Sequence, residues 1–180
     1  MSRAGARRAE ILDRLADFVL AEGLVSASLR PLAQAAGLSD RMLLYYFADK
    51  SAVLSATLET VVARLTLGME RLPAEPRPAE ALWRDLLAFS MDPEVWPYLR
   101  LWLEIAVLAA RGDPFWRARG EAIGLGFLDW VVARLDGPSV EARRIEAARL
   151  LARLDGVVVL RAVGLDGAVP GAFTELPGAG

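Results

Sequence analysis

The sequence predicts an all-α fold in two parts, and three observations predict it. Apolar residues recur along most of the chain at the i, i+3/i+4, i+7 spacing of one helix face. Cap residues, prolines and glycines interrupt that pattern at helix-length intervals. At 54% hydrophobic over 180 residues, the chain carries enough apolar material to build a core.

Taken in order, Ile11, Leu15, Phe18 and Val19 share one face of a first helix, with Asp13, Arg14 and Asp17 away from it and Gly23 as its stop. Ser28 caps a short second helix over 29–36, where Pro31 falls in the first turn and needs no N–H partner. Gly37 and Leu38 make a turn, and Ser39 caps a third helix over 40–46. Asp49 caps a longer fourth helix carrying Val53, Leu54, Leu58, Val61, Val62 and Leu65. Three prolines within 72–78 exclude helix interior there. That stretch separates a head over residues 1–50, with a connecting helix at about 50–71, from a body over 72–180.

The body continues with a helix over 79–91, followed by Asp92 as a cap and Pro93 as the first residue of the next helix, with Pro97 ending or kinking that segment. Residues 98–111 are apolar on nearly every face apart from Arg100 and Glu104, which predicts a buried helix. Asp113 and Pro114 start a helix over 115–135, and Gly137 and Pro138 stop it. Ser139 caps a last helix reaching about Gly164. The run Val157-Val158-Val159-Leu160 is read as part of that helix, because a lone strand has no partner. The tail over 166–180 is rich in Gly and Pro and reads as frayed.

Composition narrows the chemistry. The chain has 21 basic and 23 acidic residues and no His, for a net charge of −2, and it has no Cys. Ser-His-Asp and Cys-His nucleophile pairs are therefore excluded, as are His/Cys zinc sites, haem attachment and disulfides. No Glu-x-x-His pair of the di-iron type is present, so no enzyme activity and no cofactor are expected. Charged residues interrupt every apolar run well before the ~18 residues that a membrane span needs. The N-terminus has adjacent Arg7 and Arg8 but no apolar stretch behind them to form a signal peptide, so a cytoplasmic location and no membrane partner are expected. Residues 1–50 hold seven basic and six acidic side chains, which leaves 14 and 17 for residues 51–180. The head is thus net +1 and the body net −3. Lys50 is the single Lys among the 21 basic residues.

Two short helices joined by a Gly-containing turn form the helix-turn-helix pattern, in which the second helix of the pair enters the major groove. Leu29, Leu32, Ala33 and Ala36 give the second helix a small apolar face, Leu38 and Leu43 pack inward, and Asp40, Arg41, Leu44 and Tyr45 are left pointing outward. Ser39 leaves backbone N–H groups at the start of the third helix, where a phosphate fits.

The Ala36-Gly37-Leu38-Ser39 turn, Leu43, the Tyr46-Phe47-x-x-Lys50 run and Leu54 resemble the N-terminal domain of TetR-family transcriptional regulators over roughly residues 7–66. The body resembles that family in being helical, in ending with two long helices and in its length. The resemblance implies a homodimer that places each third helix in the major groove of a palindromic DNA operator. It implies phosphate contacts from Ser28, Tyr46 and Lys50, and base contacts from Asp40, Arg41, Met42 and Tyr45. The helix start at Ser39 is a further phosphate candidate, as are Arg7 and Arg8 near the start of the first helix, for which plain solvation is the alternative. Arg41 stands where the family usually has a small residue, and Leu44 where it usually has an aromatic; an Arg there reaches guanine O6/N7.

The resemblance also implies a small-molecule effector, largely apolar, in the body. Trp83, Phe89, Trp96, Trp102 and Phe127 are the aromatic candidates for its pocket, with Arg100 and Glu104 as either its polar groups or an i, i+4 pair. Core or interface packing is the alternative role for these aromatics. Gly120, Ile123, Gly124, Phe127, Trp130 and Val131, together with Leu151, Leu154 and Val158, are the candidates for a four-helix dimer interface. The expected function is a ligand-responsive repressor; the alternative is a helical protein–protein adaptor whose helix-turn-helix no longer binds DNA.

Overall fold

A computed structural model describes residues 3–169. Its order is α1 (Arg3–Glu22), α2 (Leu29–Ala35), α3 (Asp40–Tyr46), α4 (Lys50–Met69), α5 (Ala79–Met91), α6 (Trp96–Ala110), α7 (Pro114–Val132) and α8 (Val140–Ala162), followed by a 3-10 turn at Asp166–Ala168. The all-α expectation holds: among the described residues, the one β-type pairing is an isolated bridge between Arg77 and Leu135. Residues 157–160 lie inside α8. The tail beyond residue 169 lies outside the described residues.

Local chemistry sets most helix ends. α1 stops at Gly23, whose φ of +78° suits glycine, and the Gly23 N–H donates to the Val19 carbonyl at 3.0 Å. Asp49 accepts from Ala52 N at 2.8 Å to start α4, and Ser139 accepts from Ala142 N at 3.1 Å to start α8. Ser28 precedes α2 without a side-chain cap bond. The start of α6 differs from expectation. Asp92 and Pro93 begin a turn rather than a helix, and Pro97 sits in the first turn of α6. A proline there costs no hydrogen bond, because the first helical N–H groups have no intrahelical acceptor.

The chain forms two compact units. The first combines Met1–Pro73 with Pro93–Ile123; the second combines Ala74–Asp92 with Gly124–Gly180. The unit changes between Pro73 and Ala74, inside the proline-rich stretch, and the chain returns to the first unit through α6 and the opening of α7. In the first unit the core joins Ile11, Leu15, Ala16 and Val19 of α1, Leu32 and Ala33 of α2, Leu43 of α3, Val53, Leu54 and Leu58 of α4, and Leu101 and Ile105 of α6. α4 is the one described helix long and apolar enough to cross a membrane by composition. It is interrupted by Glu59 and Arg64, and Val53, Leu54, Ala56, Leu58 and Val61 are spent on this core. Buried Thr57 donates to the Val53 carbonyl, so its hydroxyl is satisfied within the helix. Arg64 bridges Asp13 at 2.8 Å and Asp17 at 2.6 Å, tying α4 to the polar side of α1.

In the second unit α5 supplies Leu82, Trp83 and Leu86, and α8 supplies Ala147, Leu150, Leu154, Val157 and Val158, with Val131 and Leu135 between them in sequence. Arg153 lies 4.2 Å over the Trp83 ring and pairs with Glu80 at 3.0 Å. Arg77 pairs with Asp85 at 2.9 Å and exchanges backbone bonds with Arg134 and Asp136. The Arg161 guanidinium donates to the Ser90 carbonyl.

Candidate nucleic-acid interface

α2, the turn at Gly37 and α3 form a helix-turn-helix whose geometry follows from few residues. Gly37 has φ +68°, and the Leu38 N–H returns to the Ala33 carbonyl at 2.8 Å, closing α2. Ser39 Oγ then accepts from Met42 N at 3.3 Å and starts α3. Leu32, Ala33 and Ala36 are buried, as the small apolar face of α2 requires. Leu43 is fully buried and Phe47 nearly so, which anchors α3 along one side. Asp40, Arg41, Met42, Leu44 and Tyr45 remain exposed, Tyr45 at 80%. Those five residues form an outward face of mixed chemistry: one carboxylate, one guanidinium, two aliphatic side chains and a phenol.

The flanking groups differ in how firmly they are held. Tyr46 is half-buried and meets Tyr45 edge-on at 5.5 Å between ring centroids. Lys50 is exposed in the first turn of α4. Ser28 is exposed just ahead of α2. Arg8 stacks 4.8 Å from the centroid of the Phe47 ring, and so links α1 to the end of α3. Arg7 and Arg14 both reach Glu10, each at 2.7 Å. The Arg7 hydrogen bond and charge, with those of Arg14, hold the Glu10 carboxyl below its ordinary pKa against the opposing effect of desolvation. At Arg64, partial burial opposes the charged form, but the bonds to Asp13 and Asp17 outweigh it and raise the pKa.

The body departs from the sequence reading in three places. First, Arg100 and Glu104 neither pair with each other nor form an isolated polar lining. Arg100 donates to the Leu20 and Ala21 carbonyls at 2.7 and 2.9 Å, and Glu104 accepts from Leu24 N at 2.6 Å. The end of α1 offers unsatisfied carbonyls and a free N–H, and these two side chains take them up. Second, α6 is not buried all round: Leu101 and Ile105 are buried, while Val107 is exposed and Trp96 and Trp102 are half-buried. Third, the aromatic pocket candidates are divided between the units. Trp96 and Trp102 belong to the first, whereas Trp83, Phe89 and Phe127 belong to the second, where Trp83 is core.

The interface candidates need a parallel correction. Val131, Leu154 and Val158 are buried within the second unit, so their apolar surface is already spent there. Leu151, Trp130 and Phe127 are half-buried. Gly120 lies against Ile105, where an added Cβ would sit at 3.5 Å, and Gly124 faces open space. The apolar face that α8 leaves outward is a different one: Ile145, Ala148, Ala152, Val159 and Val163 are exposed and Gly156 half-exposed, at intervals of three, four and seven residues. That spacing was present in the sequence. Composition does not single it out, because α8 carries apolar residues on two faces and the sequence does not say which of them is inside. Among the described residues, no cluster of three or more metal-ligating side chains occurs.

No protein-family model matches the chain. Over 101 residues it is 32% identical to the HTH-type transcriptional regulator BetI of Paraburkholderia phytofirmans. That match covers 54% of this chain and 51% of the relative, so the chain spans about half the length of the curated relative it matches. The crystal structure of a transcriptional regulator from Rhodococcus sp. Rha1 superposes with a TM-score of 0.72 over 91% of this chain and 88% of that one, at 23% identity. Both similar proteins are named as transcriptional regulators, and the second shares the all-α fold.

Proposed function

We propose that the protein is a sequence-specific DNA-binding transcriptional regulator of the TetR type, acting as a homodimer in the cytoplasm. The observation that carries this reading is the division of α3: Leu43 and Phe47 are sunk in the core while Asp40, Arg41, Met42 and Tyr45 are exposed. A recognition helix needs that division, with one side fixed to the scaffold and the other open to base edges. Arg41 is the base reader with the strongest chemistry, since a guanidinium pairs bidentately with guanine O6/N7. Ser28, Ser39, Tyr46 and Lys50 border the same helices and supply phosphate contacts, which position the protein without reading sequence. Arg7 and Arg8 add positive charge near the start of α1. Two copies join through the last two helices, with the outward stripe of α8 at the interface.

Regulation by a small, largely apolar effector belongs to the same proposal, with repression as its output. An effector that favours one arrangement of the two heads shifts the operator-competent population in proportion to its differential affinity. Exposed Met42, Leu44 and Tyr45 are the one observation that favours a protein–protein adaptor instead, because they offer apolar surface on α3. Selection of bound duplexes from a random DNA pool tests the proposal. A palindromic consensus is the expected result, and absence of any enriched sequence refutes it in favour of the adaptor.

A further inference from the structure

We infer that Arg8 and Arg14 of α1 are positioning residues for α3, bracing it at its two ends and so sharpening the choice of base at the positions it reads. This assignment rests on the DNA-binding reading above. It involves α1, α2 and α3 alone, all in the first unit.

α3 needs such support because its own anchorage is narrow. It is seven residues long, and Leu43 is the one residue within it that is buried. Burial is non-directional, so a single buried side chain holds the helix to the core without fixing its tilt about that point. Phe47, the C-cap, is the next residue sunk into the core. Base readout tolerates little tilt, because a bidentate pair needs two hydrogen bonds aligned at once.

The two arginines meet the two ends of that segment. The Arg8 guanidinium lies 4.8 Å from the centroid of the Phe47 ring, directly after α3. Arg14 reaches the turn directly before α3: its Nη1 lies 3.1 Å from the point that a Cβ on Gly37 would occupy. The other arm of Arg14, Nη2, donates to Glu10 Oε1 at 2.7 Å, and Glu10 Oε2 accepts from Arg7 at 2.7 Å. Arg14 is thereby oriented from its own helix while it faces the turn. A guanidinium is suited to both tasks, since it is planar enough to stack on a ring and carries two arms in a fixed fork.

Each brace governs the end it touches. Arg41 stands near the start of α3, beside the turn that Arg14 faces, and Tyr45 near its end, beside the ring that Arg8 covers. Loss of one brace therefore relaxes a different set of base positions from loss of the other.

The test uses the full-length chain and the consensus duplex that it selects, rebuilt with every single base-pair substitution. Arg41→Ala and Tyr45→Ala mark the positions that those side chains read. The wild type is expected to reject a wrong pair there by about fivefold or more. Arg8→Lys keeps the charge and loses the planar stack; Phe47→Leu keeps an apolar side chain and loses the ring. Each is expected to lower rejection at the Tyr45 positions by about two- to fivefold, the scale of an exposed cation–π contact, and the double variant by no more than either alone. Arg14→Lys has a single head that cannot hold Glu10 and face Gly37 together, and it is expected to relax the Arg41 positions instead. None of these variants removes a charge, so the salt dependence of binding is expected to stay that of the wild type. Uniform weakening on every duplex would make the arginines phosphate contacts and overturns the assignment. So does a loss of stability with an unaltered base profile, which would make the contacts structural only. An enriched consensus whose profile no variant alters sinks this assignment and leaves the regulator reading standing. If the wild type enriches no sequence, the regulator reading itself fails and this one falls with it.

Discussion

Leu43 and Tyr45 stand two positions apart on α3 and meet opposite environments, one fully buried and the other largely exposed. Leu43 closes the seam between α3 and the core, so Leu43→Ala is expected to cost about 2–5 kcal/mol of stability, measured by denaturant unfolding. A loss well under that range would mean that α3 is held mainly by Phe47 and its contact with Arg8. Glu10 makes a different kind of prediction. Arg7, through its hydrogen bond and charge, lowers the Glu10 pKa in the folded state, with Arg14 adding to the effect. The associated stabilisation is present above the unfolded-state pKa and is lost as pH falls through the lowered folded-state value. The stability difference between wild type and Glu10→Gln should therefore narrow as the solution is acidified through the carboxylate range. A difference that stays constant with pH would show that the network contributes nothing through charge. The inward placement of Leu43 was legible in the sequence, since it follows from helical spacing behind a capped turn. The Glu10 network was not, because two arginines at three and four residues from Glu10 each had other places to point.

At the scale of elements, α8 is the informative helix. It runs from Val140 to Ala162, about 35 Å at 1.5 Å per residue, and is apolar on two faces. One face, with Leu150, Leu154, Val157 and Val158, is buried in the second unit. The other, from Ile145 to Val163, is left outward and contains Ala148, Ala152 and Gly156, which permit close helix approach. An exposed apolar stripe of that length on a monomer is uncommon, and in the proposed homodimer self-association covers it. Val159→Asp is expected to convert the proposed dimer to monomer, as read by sedimentation velocity, with little loss of helical signal. A variant that remains dimeric would move the interface elsewhere. The helical period is compatible with both stripes and does not rank them, because each satisfies the same spacing rule. α6 shows the same limit from the other side: its composition suggested burial all round, yet two of its side chains are buried and its polar pair is spent on α1.

At the scale of the whole molecule, a net charge of −2 is no obstacle to DNA binding when charge is distributed. Residues 1–50 carry net +1, and Lys50 stands exposed at the start of α4. Binding to duplex DNA is expected to weaken steeply with salt, with a linear log–log dependence whose slope counts the phosphates engaged. Lys50→Ala should reduce that slope by about one per subunit while leaving the preferred sequence unchanged. An unchanged slope would remove Lys50 from the phosphate contacts.

The all-α class, the positions of most helix ends and the layout of the helix-turn-helix are legible in the sequence. Each of these depends on short-range chemistry: caps, glycine at positive φ, proline where no N–H is needed, and a 3.6-residue period. The tertiary structure alone decided the return of α6 to the first unit, the choice between the two faces of α8 and the use of Arg100 and Glu104 at the end of α1. Those outcomes depend on contacts between residues tens of positions apart. There, several partners satisfy the same local pattern, and packing selects among them.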